Sequence, residues 1–275
     1  MKIRNIIYAG AAMIFAACSN SDSIDQAAKQ VPLTINATID GEATRSSSFG
    51  DGAQIGVYAG GKENVLFTAD ESVNFTSETP IYFNSEKMTV KAYFPYSSKN
   101  TSMVINTVDQ TFLTDYLYAE ATASAATGTA NIVFRHLLSK ATLNVTWGAG
   151  YDNNNGVSTY SVSVSGLKTK ATYTLPGTIE IADDSDDIHL MSLQPKTEFL
   201  LIPQEAESFT LNIIIDQNEY AATVPVKGGK LEANTNYIYS VKIDKEKLTV
   251  SSSSSVAAWD VEESEDYVDV IYSGE

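Results

Sequence analysis

The sequence predicts an all-β protein, with two tandem antiparallel β-sandwiches behind an export leader. Three observations carry this. Apolar residues recur at every second position in run after run, Gly-, Asn- and Asp-rich clusters separate the runs, and almost no segment holds a 3.6-residue period. The 275 residues suffice for one large or two ordinary domains, and 43% hydrophobic content with 10 Phe and 15 Tyr supplies a core. A net charge of −16 argues against nucleic acid and against an anionic membrane surface, since no basic stripe is present to meet phosphates.

The leader comes first. "MKIRNIIYAGAAMIFAACSNSDS" has a basic start at Lys2 and Arg4, an apolar run from Ile6 to Ala17, and then Cys18. The run is short for a membrane span and suits a signal peptide over 1–17. Cys18 directly follows two alanines, as in a bacterial lipobox, although Phe15 departs from the commoner Leu. The other reading is a plain secretory signal with an incidental Cys. Cys18 is the only cysteine, so no internal disulfide can form.

After the polar tether "SNSDSIDQAAKQ", the run "VPLTINATI" sets Leu33, Ile35, Ala37 and Ile39 on one face. "QIGVYAG" does the same with Ile55 and Val57, and "MTVKAYFPY" with Val90, Ala92 and Phe94. "ATLNVTW" aligns Leu143, Val145 and Trp147, and "YSVSVSG" aligns Tyr160, Val162 and Val164. "FTLNIIID" aligns Phe209, Leu211, Ile213 and Ile215, and "NYIYSVKI" aligns Tyr237, Tyr239, Val241 and Ile243. Each run reads as a half-buried strand. "LYAEATASAA" at 117–126 is the one stretch expected to form a helical turn or two. The Ala/Thr-rich 119–131 suggests a boundary, giving sandwiches over 46–130 and 131–261. The tail 262–275 begins acidic and turns strand-like in "YVDVIY", where Val268, Val270 and Tyr272 share a face. It reads equally as a free strand or as a final strand of its own domain.

Catalytic chemistry is not visible. His136 and His189 sit among apolar residues and read as packed or surface histidines. No phosphate loop, GxSxG elbow, dinucleotide fingerprint or HExxH is present. Asp183–Asp187 could offer oxygens to calcium, but it lacks the glycine and distal glutamate of an EF-hand loop, and a solvated acidic turn is the rival reading. No enzyme, metal or cofactor is expected. That leaves Arg45, alone in "TIDGEATRSSSFGDG" and one of three arginines. It is either a solvated surface charge or a trypsin-like cleavage site in an exposed tip.

Taken in order, the lipobox-like Cys18, the first strand, the lone Arg45, "FRHLLSKATLNV" near the middle and the closing "LEANTNYIYSVKIDKEKLTVSSSSSVAAWDVEE" resemble the fimbrillin family. These are the Bacteroides-type (type V) pilins and related Mfa-like surface lipoproteins. The resemblance implies transthyretin-like sandwiches, export, and acylation at Cys18. It further implies cleavage by an arginine-specific protease between Arg45 and Ser46, which would remove 18–45 with its strand Val31 to Ile39. The opened groove would then accept a donor strand from a neighbouring subunit, and the tail with Val268, Val270 and Tyr272 is the candidate donor. The implied partners are other fimbrial subunits, the protease and, through the lipid, the outer membrane. The rival role is a tip adhesin or anchored lipoprotein holding a glycan or host protein.

Overall fold

A computed structural model describes residues 31–40, 49–98, 101–111, 113–151, 160–215, 217–258 and 269–271; over 251–258 and 269–271 it describes the backbone. The regular structure in this part is almost entirely strand. In the first half these are β1 (Thr34–Ile39), β2 (Gln54–Ala59), β3 (Lys62–Ala69), β4 (Asn74–Thr76), β5 (Lys87–Phe94), β6 (Ser102–Asn106), β7 (Leu117–Ser124) and β8 (Thr129–His136). All but β6 join one ladder, in the order β1-β4-β3-β2-β5-β7-β8, which closes on itself where β8 meets β1. The pairing is antiparallel except between β1 and β8, which run parallel. Every second residue points inward. Leu33, Ile35, Ile55, Val57, Phe67, Phe75, Val90, Ile132 and Phe134 are buried in one cluster.

β7 corrects the helical expectation over 117–126. It pairs with β5 along its whole length, from Phe94↔Leu117 to Lys87↔Ser124, and buries Leu117, Ala119 and Ala123. Alanine's helical preference is worth a fraction of a kilocalorie per residue. A full ladder plus a buried face outweighs it.

The second half comprises β9 (Ser139–Trp147), β10 (Tyr160–Ser165), β11 (Lys170–Thr174), β12 (Thr178–Ile181), β13 (Ile188–Leu190), β14 (Lys196–Leu201), β15 (Gln204–Glu205), β16 (Ser208–Ile215), β17 (Asn218–Pro225), β18 (Lys230–Leu231), β19 (Thr235–Asp244), β20 (Lys247–Ala258) and β21 (Asp269–Ile271). Two sheets face each other here, β14-β9-β19-β20-β21 and β13-β10-β16-β17. The in-phase residues read from the sequence fill the space between them: Leu143, Val164, Phe209, Leu211, Ile213, Ile215, Tyr239, Val241 and Ile243 are all buried. The ladder of the first half runs through β8 to His136, so the change of sheets falls at Leu137–Leu138, and residue 130 lies inside a strand.

The halves share structure. β6 leaves the first ladder to pair with β11 in a three-stranded sheet, β12-β11-β6. This sheet lies against a third apolar cluster of Tyr93, Ile105, Leu138, Ala171, Tyr173 and Ile202. Tyr93 points outward from β5, yet it is fully buried, because its ring lies across Gly56 of β2. A Cβ at residue 56 would stand 2.0 Å from the ring, so the close approach requires glycine. The Tyr93 hydroxyl donates to Asn64 Oδ1 at 2.7 Å, and Tyr93, Tyr116 and Tyr173 meet edge to face. Burial pushes the hydroxyl pKa of all three above the ordinary tyrosine value. Tyr118 at the rim is pushed up to about 12, first by burial and then by the Glu120 carboxylate that accepts its proton at 2.8 Å. Residues Val31–Glu275 accordingly hold together as one unit.

Candidate functional site

The feature that unites chemistry and topology is the bed of β1. The segment begins at Val31-Pro32, where Pro32 bridges to Tyr82, and then alternates cleanly. Thr34 to Ile39 pair with Thr129 to Phe134 of β8 on one side, and Ile35 and Asn36 pair with Phe75 and Asn74 of β4 on the other. Asn36 Nδ2 donates to Asn74 Oδ1 at 3.2 Å. Further backbone bonds fix the ends: Leu33 N–H to Ile81 O at 2.7 Å, Thr34 N–H to Gly128 O at 2.9 Å, and Asp40 N–H to Phe134 O at 2.7 Å.

Leu33, Ile35 and Ala37 are 3%, 0% and 4% exposed. Burial of Leu33 and Ile35 together is worth about 3–6 kcal/mol. They share a cluster with Phe75, Ala130, Ile132, Phe134 and Phe49. Phe49 stands edge-on to Phe75, Phe94 and Phe134 at 5.2, 5.5 and 5.1 Å between centroids. It lies a few residues after Arg45 in the sequence, so a cut at Arg45 would leave it with the body of the protein.

A polar clamp closes the far end of the strand. Asp40 Oδ2 accepts from Asn234 Nδ2 at 3.0 Å and faces Arg135 Nε at 3.4 Å. Asn234 itself is set in the left-handed region (φ 59°) and accepts the backbone N–H of His136 through Oδ1 at 3.0 Å. Beside the clamp lies a surface cavity of about 820 Å³, lined among others by Tyr118, Glu120, Val133, Arg135 and Asn234. Sequence reasoning missed both Phe49 and this clamp. The only signal was an Asn-bearing cluster, "LEANTN", ahead of a strand-like run, which says nothing about its reaching Asp40.

The other candidates fall out as follows. Cys18, Arg45, Ser46, Val268 and Tyr272 lie outside the described residues, as does Trp259. The backbone of Val270 is described, and it pairs with Val250 at the sheet edge formed by β20. His136 is buried with its Nδ1 against Asp115, and His189 is exposed on β13 opposite Ser163. Within Asp183–Asp187, three carboxylates meet lysines: Lys168 meets Asp183 at 2.8 Å, and Lys170 meets Asp184 at 2.9 Å and Asp186 at 3.0 Å. Among the described residues no group of His, Cys, Asp and Glu is arranged to hold a metal ion. A second concavity of about 870 Å³ lies on the outer face of β2 and β3, lined by Gln54, Asn64, Thr68 and Tyr96 among others.

Comparison with known proteins gives a consistent answer. The model of the fimbrillin-like family matches residues 42–259. Among solved structures, the chain is similar to a candidate cell adhesion protein from Bacteroides uniformis (TM-score 0.70, 21% identity, covering 84% of this chain and 98% of that one). It is also similar to a candidate cell adhesion protein from Bacteroides ovatus (0.63, 19%, 85% and 99%). A third likeness is to the tip fimbrial protein Mfa3 of Porphyromonas gingivalis with a C-terminal truncation (0.51, 10%, 84% and 100%). At these identities the likeness is one of fold. No curated protein sequence matches the chain.

Proposed function

Since the chain belongs to the fimbrillin-like family, we propose that it is a structural subunit of a surface fimbria that polymerises by exchanging strands. It is exported, acylated at Cys18 and held at the outer membrane until an arginine-specific protease cuts between Arg45 and Ser46. The cut frees Val31 to Ile39 to leave, and a neighbouring subunit fills the bed with its tail, in which Val268, Val270 and Tyr272 form the inserting face. Its work is assembly rather than catalysis.

The observation that carries this reading is the position of β1. It lies N-terminal to Arg45, yet it is built into the core and paired on both sides. Taking it away leaves two ladders of unpaired backbone groups and an apolar trough, the situation that β-strand addition by another chain resolves. Phe49 follows the cut and stays behind, packed edge-on against Phe75 and Phe134 of the bed.

The test is direct. N-terminal sequencing of assembled material should begin at Ser46, and Arg45→Ala should leave unpolymerised precursor. Normal assembly of Arg45→Ala subunits ends the proposal. The rival reading is a tip adhesin or anchored lipoprotein that binds a glycan or host protein. It draws on the polar concavity beside Tyr96 and on the pairing of Asp269–Ile271 with the chain's own β20. Deleting 262–275 separates the two: a donor subunit loses its polymer, whereas a tip subunit keeps assembling. An anchor would retain Cys18, which the mass of the surface form reveals.

A further inference from the structure

We propose that the outer edge of β6 is a docking edge for a second copy of this chain, paired antiparallel about a two-fold axis through Val104. The inference stands apart from the strand-exchange reading, because β6 borders neither β1 nor β21.

β6 lies at one edge of the sheet β12-β11-β6. Alternation fixes which of its backbone groups point away. Thr101 O accepts from Leu175 N–H and Thr107 N–H donates to Thr169 O, both at 2.9 Å, so the odd-numbered residues face β11. The N–H and C=O of Ser102, Val104 and Asn106 therefore point outward, and among the described residues they meet no hydrogen-bond partner. Val104 beside them is 72% exposed. The run Thr101–Thr107, "TSMVINT", holds no charge, no Gly and no Pro, in a chain of net charge −16. An edge of this kind pairs with another chain unless it is guarded. Three other edge strands are guarded. β12 carries the exposed Glu180, β17 carries Glu219 and ends on Pro225, and β14 has the N–H and C=O of Leu200 taken by the Gln110 side chain at 2.8 and 3.1 Å. Of these four edges, β6 alone is left open.

The open edge is complementary to itself. With Val104 laid antiparallel against Val104 of the second copy, Ser102 falls opposite Asn106 and Asn106 opposite Ser102. All three outward-facing residues then find outward-facing partners, and each pair exchanges two backbone bonds. A shift by two residues leaves one of the three without a partner, and a shift by one sets an outward residue against one that faces β11. Side chains agree with this register. Val104 meets its counterpart on the exposed face, and Met103 meets Ile105 on the other. The third apolar cluster, which contains Ile105 and packs against Met103, thus continues across the axis. The contact is isologous and short, and it belongs with the weak ones. Along a row of subunits it would repeat, and repeated weak links add.

The experiment uses the uncleaved chain, so that β1 keeps its place, with Cys18→Ser to remove the one native thiol. Under mild oxidation Val104→Cys is expected to give a disulfide-linked dimer, since hydrogen-bonded antiparallel partners stand about 5.5 Å apart at Cα, within disulfide reach. Ser102→Cys alone should stay unlinked, because its two copies lie roughly 13 Å apart along the strands. Mixed with Asn106→Cys chains, it should give the mixed dimer. Sedimentation of the chain without added cysteines should show a reversible monomer–dimer equilibrium that tightens with salt, as screening relieves the repulsion between two acidic bodies. Val104→Lys sets two ammonium groups face to face and should weaken the dimer about tenfold or more. Its melting temperature as a monomer should match the parent's, the site being exposed. The inference is overturned if Val104→Cys links no faster than Ser102→Cys, if dimers form regardless of Val104→Lys, or if the chain stays monomeric in both assays. None of these results touches the strand-exchange reading, which the assembly of Arg45→Ala subunits tests.

Discussion

β1 and β21 stand at opposite ends of the described chain and are held in opposite ways. β1 is six residues long, paired on both sides, with a row of apolar side chains in the core. β21 is three residues long and pairs on one side only, Asp269 to Ile271 against Thr249 to Ser251 at the edge of its sheet. On the strand-exchange proposal, the segment to be surrendered is the embedded one and the segment to be offered is the detachable one. The driving force then belongs to the bed, which is large, apolar and hydrogen-bonding. The strand that fills it needs only to match.

The contrast between the two strands predicts a graded set of outcomes. Ile35→Asp puts a carboxylate where no water reaches, and it should destabilise the uncleaved chain by roughly 4 kcal/mol or more in urea unfolding. The same change at Val270 should cost less than about 1 kcal/mol, since an edge strand can let go. Equal losses would show that the two strands are held alike. Phe49→Ala removes a ring that meets three others and should cost about 3–5 kcal/mol, before and after cleavage alike. Gly56→Ala forces the Tyr93 ring off the strand and should cost about 1–3 kcal/mol, loosening the junction between halves rather than the β1 bed.

Alkaline pH acts on the same junction. Tyr93, Tyr116 and Tyr173 have raised folded pKa values because burial disfavours the phenolate. The unfolded chain therefore ionises first. Their stabilising contribution is complete below about pH 10 and is lost progressively as pH climbs from there towards the folded values. Thermal melts above about pH 10 should fall more gently for Tyr173→Phe than for the parent. At the small end, Val270→Ala should leave the uncleaved chain within about 0.5 kcal/mol of its starting stability.

The period-two runs made most of the fold legible in advance. Leu33, Ile35 and Ala37 read as one face of a strand because alternation is a local signal, and Phe209 to Ile215 did the same for the second core. Residues 117–126 were misread because Ala and Thr carry little hydrophobic contrast, so the partner β5 decides the conformation. The pairing of β6 with β11 left no trace in the sequence, since strand partners far apart in the chain impose no local pattern. Gly56 and Tyr93 are also invisible to a linear reading, because the glycine matters only through a ring brought to it by the sheet. The Asp40, Arg135 and Asn234 clamp joins three distant stretches, and nothing in any one of them announces the other two.

Because β6 crosses from one half to pair with β11 of the other, tension applied along the molecule meets no slack joint. Separating the halves means shearing the run from Lys170↔Asn106 to Thr174↔Ser102 while lifting a tyrosine off the bare backbone of Gly56. A chain of such bodies would stretch at its links before it stretched within them. On the strand-exchange proposal, that is the behaviour a filament subunit needs.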